Sequence, residues 1–183
     1  PEAAFENISN CFTHQVPVIS GTTGWLDQYS QAVRICEENK SAFIYASNFS
    51  LGVNLFFELN KKLAQMMATV DQYKVSMEEI HHTQKLDAPS GTAITLAEGI
   101  IENSSYENWK LDESGDKTIP IKSIREGMVP GTHTIFYKSA VDTIEIKHEA
   151  HNREGFALGA VIAAEWIQGK AGVFTMKDVL NLS

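Results

Sequence analysis

The sequence predicts an α/β region followed by an α+β region, the second with a mainly antiparallel sheet of at least four strands. Two observations lead to this fold class. Over residues 3–46, helical and short apolar strand patterns alternate with brief connections, which is the βαβ rhythm of an open parallel sheet. Over residues 118–150, three strand-like segments are joined by short connections, which favours antiparallel neighbours. At 183 residues, the chain has room for one sizeable domain or two small ones.

The first region begins with a helix. Residues 3–13 carry apolar side chains at helical spacing, and residues 16–20 predict a short buried strand. A turn with the sequence Gly-Thr-Thr-Gly, at residues 21–24, leads into a second helix at about residues 26–38. Another short apolar strand is predicted at residues 42–46.

The second region begins with one long helix, predicted at residues 50–70 from its continuous apolar face. A strand at residues 73–82 follows, because polar and apolar residues alternate there. Pro89 disfavours helical dihedral angles at the residue before it, so Ser90 is the natural N-cap of a helix that runs to about residue 102. Residues 103–117 are polar and predict a surface excursion.

Three further strands are predicted at residues 118–125, 132–139 and 143–150. Together with the strand at residues 73–82 they form the predicted sheet, which leaves one face free for helices or for another sheet. A last helix, at about residues 153–168, ends at Gly169.

Composition and charge restrict the class of protein. The net charge of −8 argues against a nucleic-acid partner, because such proteins present a basic surface and none is visible in the sequence. No stretch reaches the ~18 apolar residues that a membrane span needs. Cys11 and Cys36 match neither a disulfide framework nor a zinc site, so we expect reduced thiols and a cytoplasmic protein.

The most informative segment is Glu-Ile-His-His-Thr-Gln-Lys-Leu-Asp-Ala-Pro-Ser-Gly-Thr-Ala, at residues 79–93. His81 and His82 are adjacent at a strand end, so their side chains point to opposite faces. We expect one ring to transfer a proton and the other to bind or pack, and the ammonium group of Lys85 is near enough to reach the same pocket. We expect no metal ion here, because the segment lacks a His-Glu-x-x-His pattern or another convincing ligand set.

The helix start in this segment predicts an anion site. The free N–H groups of Gly91, Thr92 and Ala93 carry the positive end of the helix dipole and suit a carboxylate or a phosphate. The segment therefore combines a proton donor with an anion site. Each part also has a purely structural interpretation when taken alone: paired histidines often lie on surfaces or in cores, and Pro-Ser-Gly-Thr makes a good N-cap.

The complete pattern Glu-x-His-His-x-x-Lys-x-Asp-Ala-Pro-Ser-Gly-Thr-Ala resembles the signature of the 4-hydroxy-tetrahydrodipicolinate reductase (dihydrodipicolinate reductase) family. Four other segments resemble the same family: Gly-Thr-Thr-Gly at 21–24, Asn-Phe-Ser-Leu-Gly-Val-Asn at 48–54, Arg-x-Gly-x-x-x-Gly-x-His at 125–133, and Gly-Val-Phe-x-Met-x-Asp-Val-Leu at 172–180. The resemblance extends over essentially the whole chain.

The resemblance implies an NAD(P)H-dependent oxidoreductase of lysine and diaminopimelate biosynthesis. Its reaction is the reduction of 4-hydroxy-tetrahydrodipicolinate, a cyclic dicarboxylate, to tetrahydrodipicolinate with loss of water. His81 would be the general acid/base and Lys85 the proton donor. His82, Gly91 and Thr92 would hold the carboxylates of the substrate.

The resemblance also implies a cofactor site, an assembly and a division into domains. NADH or NADPH would lie beside two loops, which comprise Gly21, Thr22 and Thr23, and Ala46, Ser47, Asn48 and Phe49. A homotetramer assembled through the antiparallel sheet is expected. Residues 1–49 would be the remnant of a Rossmann-like dinucleotide-binding domain, residues 50–152 the substrate-binding and oligomerisation domain, and residues 153–183 a helix and tail that return toward the first domain.

The chain departs from the family pattern at one point. It starts at Pro1 and contains no glycine-rich dinucleotide loop after a strand, so we expect a fragment that lacks the first part of its cofactor domain and is inactive alone. The preference for NADH or NADPH stays open for the same reason. Two alternatives also stay open, namely another two-domain NAD(P)-dependent dehydrogenase of amino-acid metabolism and a non-catalytic oligomerisation module.

Overall fold

The computed structural model describes residues 2–182, and the chain forms two compact units. Unit 1 comprises the residues up to Asn54 together with those from Glu154 on, and unit 2 comprises Leu55–Arg153. Pro1 and Ser183, at which the predicted domain ranges begin and end, lie outside the described residues.

The elements follow one another along the chain in an order close to the predicted one. They are α1 (Ala4–Thr13), β1 (Val18–Ser20), α2 (Tyr29–Glu38, after a 3₁₀ turn at Leu26–Gln28), β2 (Ala42–Tyr45), α3 (Leu51–Met67), β3 (Lys74–His81), α4 (Gly91–Ile101), β4 (Asn108–Leu111), β5 (Thr118–Arg125), β6 (Gly131–Lys138), β7 (Thr143–Ala150), α5 (Glu154–Trp166), β8 (Gly172–Phe174) and α6 (Met176–Leu180).

Unit 1 is built on a parallel sheet in the order β1-β2-β8. Successive side chains of the central strand β2 point to opposite faces, so Phe43 packs in a cluster with Phe12 and Trp25, whereas Ile44 packs with Ala163 and Ile167. Both faces of this strand are therefore covered, as is typical of parallel sheets. The third strand, β8, was not predicted as a strand from the sequence.

Unit 2 contains a five-stranded sheet in the order β4-β5-β3-β6-β7. β3 lies between β5, with which it is parallel, and β6, with which it is antiparallel. The α/β plus α+β fold class is confirmed, but the sheet is mixed rather than mainly antiparallel, because β4 and β5 are parallel as well. The short connection between β5 and β6 does not make them neighbours, since β3 occupies the place between them.

The predicted surface excursion at residues 103–117 is wrong in one respect, because it contains the edge strand β4. Three of its four residues are exposed, and an edge strand needs only one partner. The strand was therefore not predicted, because its polar composition lacks the apolar pattern of a buried strand.

The core of unit 2 joins the sheet to α3 and α4. Its fully buried members include Leu96, Ile100, Ile119, Ile121 and Ile135. None of the helices over residues 2–182 combines the length and apolarity that a bilayer crossing requires.

Candidate active site

The candidate site of unit 2 lies where β3 ends. Buried positions alternate along this strand, so Val75, Met77, Glu79 and His81 share one face. The first two residues are apolar and belong to the core, whereas Glu79 is fully buried and His81 is only 7% exposed. Buried polar groups need partners, so this end of the face has a polar environment that differs from the rest of the core.

The carboxylate of Glu79 accepts hydrogen bonds from two neighbouring elements. Its Oε1 accepts from the backbone N–H of Ser90 at 3.1 Å, from Ser123 Oγ at 2.8 Å and from Arg125 Nη2 at 3.1 Å. Its Oε2 lies 3.3 Å from His81 Nδ1. Burial by itself raises the pKa of this carboxyl group, but the contacts with its four neighbours together hold the pKa well below its ordinary value. Glu79 is therefore an ionised carboxylate held in a fixed orientation.

His133 of β6 lies directly opposite Glu79 in the sheet. Its ring is 5.1 Å from the ring of His81, between centroids, and its Nε2 is 3.2 Å from Ser90 Oγ. Burial, and after it the proximity of His81, lowers the pKa of His133 to about 3. His133 is therefore neutral near pH 7, and Arg125 supplies the positive charge beside the buried carboxylate.

Arg125, at the end of β5, also ties the loop at residues 82–89 to the sheet. Its Nε donates to the carbonyl oxygen of Lys85 at 3.3 Å, and its Nη2 donates to the carbonyl oxygen of Asp87 at 2.5 Å. Lys85 Nζ donates to both carboxylate oxygens of Asp87 at 2.8 Å, which lowers the pKa of Asp87. The ammonium group of Lys85 thus lies in this loop and is paired with an internal carboxylate.

The start of α4 agrees with its predicted cap. Ser90 is the N-cap, and its Oγ accepts from the backbone N–H of Ala93 at 3.2 Å. Gly91 is exposed, and apart from its two chain neighbours and the adjoining backbone of its own helix, no described atom lies within 4 Å of the point where a Cβ would stand. Thr92 is partly exposed. The helix entrance is therefore open at Gly91, where an anion can approach the free backbone N–H groups.

His82 lines a surface groove of about 520 Å³. Its Nε2 is 3.4 Å from Arg153 Nη2. Three basic side chains and no carboxylate line this groove, whose residues are His82, Gln84, Met128, Pro130, His151, Asn152 and Arg153. A cavity of about 600 Å³ lies at the other end of β3, near Lys74, and contains none of the predicted site residues.

The two predicted cofactor loops lie at one edge of unit 1. β1 and β2 are parallel, so the loops that follow them leave the sheet at the same carboxyl edge, the usual position of a nucleotide in such sheets. The backbone N–H of Ala46 donates to the carbonyl oxygen of Ser20 at 3.1 Å. A Cβ on Gly21 would lie 3.4 Å from the ring of Phe49, so the loops are in contact.

Polar side chains at this edge could form hydrogen bonds to a nicotinamide cofactor. Thr22, Thr23 and Ser47 are exposed and carry polar side chains, and Asn48 is partly exposed. The side chain of Phe49 is buried, so this residue supports the loop from the core instead of presenting its ring to solvent.

Gly159 of α5 fixes the position of the second loop. A Cβ on Gly159 would lie 1.8 Å from the carbonyl oxygen of Phe49, so only glycine permits this approach.

Sequence reasoning missed the roles of Glu79, Ser123, Arg125 and His133. The pattern at residues 125–133 was recognised only as a family resemblance. In the structure, its first and last residues, Arg125 and His133, lie beside Glu79. One signal was present but not used: side chains alternate along a strand, so Glu79 lies on the same face as the apolar Val75 and Met77.

Glu79, His81 and His133 offer ligand atoms within 4.8 Å of one another, a spacing that a metal ion can use. The carboxylate already accepts three hydrogen bonds, and the Arg125 guanidinium repels a cation. The absence of a metal stays a prediction.

Comparisons with known proteins give the same family for both units. The family model described as dihydrodipicolinate reductase, N-terminus, matches residues 1–49, and the one described as dihydrodipicolinate reductase, C-terminus, matches residues 52–180. A 4-hydroxy-tetrahydrodipicolinate reductase of Christiangramia forsetii is 63% identical over 182 residues, which are 99% of this chain and 76% of that protein. A protein of the same name from Neisseria gonorrhoeae is 36% identical over 193 residues, covering 100% of this chain and 70% of its own length.

A solved structure is also similar. The dipicolinate-bound dihydrodipicolinate reductase from Paenisporosarcina sp. TG-14 has a TM-score of 0.76 and 28% sequence identity, and the match covers 100% of this chain and 71% of that chain. The resemblance found in the sequence is therefore confirmed, and the chain belongs to the dihydrodipicolinate reductase family.

Proposed function

We propose that this chain serves in the NADH- or NADPH-dependent reduction of 4-hydroxy-tetrahydrodipicolinate to tetrahydrodipicolinate, in lysine and diaminopimelate biosynthesis. The reaction adds one hydride and one proton to the substrate and releases its hydroxyl group as water. Family membership and the names of the relatives support the reductase activity. The dipicolinate in the solved relative supports a cyclic dicarboxylate as substrate.

The observation that carries the proposal is the polar cluster at the end of β3. His81 is enclosed by Glu79 and His133, next to a helix whose entrance is open at Gly91. A substrate carboxylate at the N–H groups of Gly91 and Thr92 would be stabilised by the helix dipole, and His81 would supply or accept the proton.

The basic groove supports recognition of the second carboxylate. His82 and Arg153 are 3.4 Å apart and can both turn toward an anion. Lys85 would leave Asp87 and donate its proton to the substrate, because a substrate carboxylate competes with Asp87 for the ammonium group.

The cofactor, when bound, supplies the hydride. The residues expected to hold it are Gly21, Thr22 and Thr23 after β1 and Ala46, Ser47, Asn48 and Phe49 after β2. Their common edge in unit 1 supports this assignment. We assign cofactor binding to unit 1, and substrate binding and assembly to unit 2.

Assembly and location are part of the proposal. A homotetramer formed through the sheet of unit 2 is supported by the edge strand β7, where Ile144 is 38% exposed. Sedimentation at several concentrations measures the assembly. A cytoplasmic location is supported by the free thiols of Cys11 and Cys36, since a reducing compartment keeps thiols unpaired.

The test is His81→Gln in the complete protein, assayed by the loss of absorbance of the reduced cofactor. We expect turnover to fall roughly 100-fold with assembly retained, because an amide cannot exchange protons as imidazole does. Unchanged turnover in a folded variant would refute catalysis by His81 and would favour the non-catalytic module. Family membership already argues against another dehydrogenase of amino-acid metabolism.

A further inference from the structure

We propose that Glu79 is a positioning residue for His81: its carboxylate keeps one ring proton on Nδ1, so that Nε2 is the nitrogen that exchanges a proton with the substrate. The inference rests on the proposed acid/base role of His81. It gives a function to a buried charge and to the pattern at residues 125–133, neither of which the proposed reaction uses directly.

The first step is that Glu79 cannot donate a proton. Its exposure is 0%, and three donors hold its Oε1, namely the N–H of Ser90, Ser123 Oγ and Arg125 Nη2. These contacts keep the carboxylate ionised, and an ionised carboxylate only accepts hydrogen bonds.

The second step concerns His81 Nδ1. It is buried, and it has no well-aligned hydrogen bond to any described residue. The nearest acceptor is Glu79 Oε2 at 3.3 Å. Because this neighbour can only accept, the stable arrangement puts the proton on Nδ1. Catalytic hydrogen bonds are often poorly aligned before the substrate binds, so the poor alignment of the contact between His81 Nδ1 and Glu79 Oε2 agrees with this assignment.

The third step concerns Nε2. A Cβ on Gly131 would lie 3.1 Å from His81 Nε2 and 3.3 Å from its Cδ2. Glycine at this position, with a φ of +157°, therefore avoids a tight contact between a Cβ and the Nε2 side of the ring. Gly131 is the neighbour of Pro130, which lines the basic groove. The ring nitrogen away from Glu79 thus lies beside the backbone of Gly131, the residue that follows Pro130 of the groove.

The fourth step excludes a competing charge. Two other ionisable groups lie at this site: His133, whose ring is 5.1 Å from that of His81, and Arg125, which pairs with the Glu79 carboxylate. Burial keeps His133 neutral near pH 7, so it does not compete as a cation for Glu79. In a turnover, Nε2 would first take a proton from a hydronium ion of the solvent, which gives the doubly protonated ring and releases water. The Nε2–H bond would then break, its electron pair would stay on the ring, the proton would pass to the substrate, and the ring would return to the form with its proton on Nδ1.

The test combines kinetics with a spectroscopic measurement on the complete protein. Glu79→Gln preserves the shape and most hydrogen bonds but removes the charge. We expect its turnover to fall about 10- to 100-fold, with the KM for the dicarboxylate changed less than about threefold, because the loss is in ring orientation and tautomer. The matched control is Glu78→Gln, on the opposite face, where Glu78 pairs with the exposed Lys122 and a change in turnover is not expected.

Nitrogen-15 NMR of labelled histidine reports the tautomer directly, with His81→Gln used to assign the signals. In the wild type at neutral pH we expect His81 to carry its proton on Nδ1, and in Glu79→Gln we expect the form with the proton on Nε2 to increase. A wild-type ring protonated on Nε2 alone would overturn the inference, and this measurement needs no Glu79 variant to fold.

The outcomes separate the two proposals. Full turnover in His81→Gln would refute the proposed role of His81. An inactive His81→Gln together with an unaltered Glu79→Gln would refute only the positioning role. Gly131→Ala gives a second kinetic test: a methyl group 3.1 Å from Nε2 should displace the His81 ring from its position beside Glu79 and lower turnover, and unchanged turnover would contradict the positioning role.

Discussion

His133→Gln should change how the stability of the protein depends on pH. The folded protein keeps His133 neutral because burial lowers its pKa from 6.5 to about 3. The unfolded chain binds a proton at this residue near pH 6.5, so between these two values the unfolded state holds more protons than the folded state. The free energy of unfolding must therefore decrease as the pH falls through this window.

The magnitude follows from the same pKa values. A single group contributes about 1.4 kcal/mol per pH unit while only the unfolded state is protonated. From about pH 6.5 to about pH 4.5, His133 therefore costs about 2 kcal/mol, because the unfolded chain is half protonated at the start of this window. Below this range the buried carboxylate of Glu79 adds a loss of the same sign, because its pKa is depressed and its stabilisation vanishes on acidification. The window from about pH 6.5 to about pH 4.5 thus excludes most of the contribution of Glu79.

Glutamine suits the comparison because its amide nitrogen can replace Nε2 beside Ser90 Oγ, at 3.2 Å, and does not titrate. Urea unfolding followed by circular dichroism, at several pH values, measures the difference between the two proteins. We expect the variant to gain about 2 kcal/mol relative to the wild type over the window. His148, on the neighbouring strand, also has a lowered pKa through burial, but it is present in both proteins. Parallel pH profiles would refute a neutral, buried His133.

Three further predictions use other contacts. Arg125→Met should destabilise the protein by about 3–5 kcal/mol in urea unfolding, because it leaves the buried carboxylate of Glu79 unpaired. The control Lys122→Met breaks an exposed ion pair and should cost under about 1 kcal/mol. Equal losses of stability in the two variants would contradict the importance of the buried pair. Gly159→Ala should lower the free energy of unfolding by about 3 kcal/mol or more, because its methyl group would meet a backbone carbonyl oxygen at 1.8 Å. The control Gly155→Ala has its nearest contact at 3.7 Å, so a thermal melt should show little change in its stability. Lys85→Ala should lower turnover roughly 10- to 100-fold and affect cofactor affinity less; normal turnover in a folded variant would remove Lys85 from the mechanism.

The local parts of the structure were predictable from the sequence. The helix at residues 91–101 and its cap at Ser90 depend on neighbours within a few residues, and the cap contact to Ala93 is present. The strands at 118–125 and 143–150 were predicted with the same bounds that the structure gives them. Period-two and period-3.6 patterns arise inside one segment, so one segment is enough to detect them.

The order of the strands was not predictable in the same way. Connection length suggested that β5 and β6 are neighbours, yet β3 lies between them. Because β3 belongs to a segment about forty residues earlier in the chain, its insertion depends on contacts that no local pattern records. The same insertion brings Ser123 and His133 to opposite sides of Glu79, which is why their roles were missed.

The network around Glu79 links the fold to the site. The carboxylate that faces His81 also accepts the N–H of Ser90, the residue that caps α4, so the proton donor and the anion-binding helix start depend on one buried charge. Substitutions inside this network should reduce stability and turnover together. By contrast, Lys85 and His82 lie outside it, and their replacement should leave the free energy of unfolding within about 0.5 kcal/mol while still reducing activity. If variants of the two classes lost stability equally, the site would not be organised around the buried carboxylate.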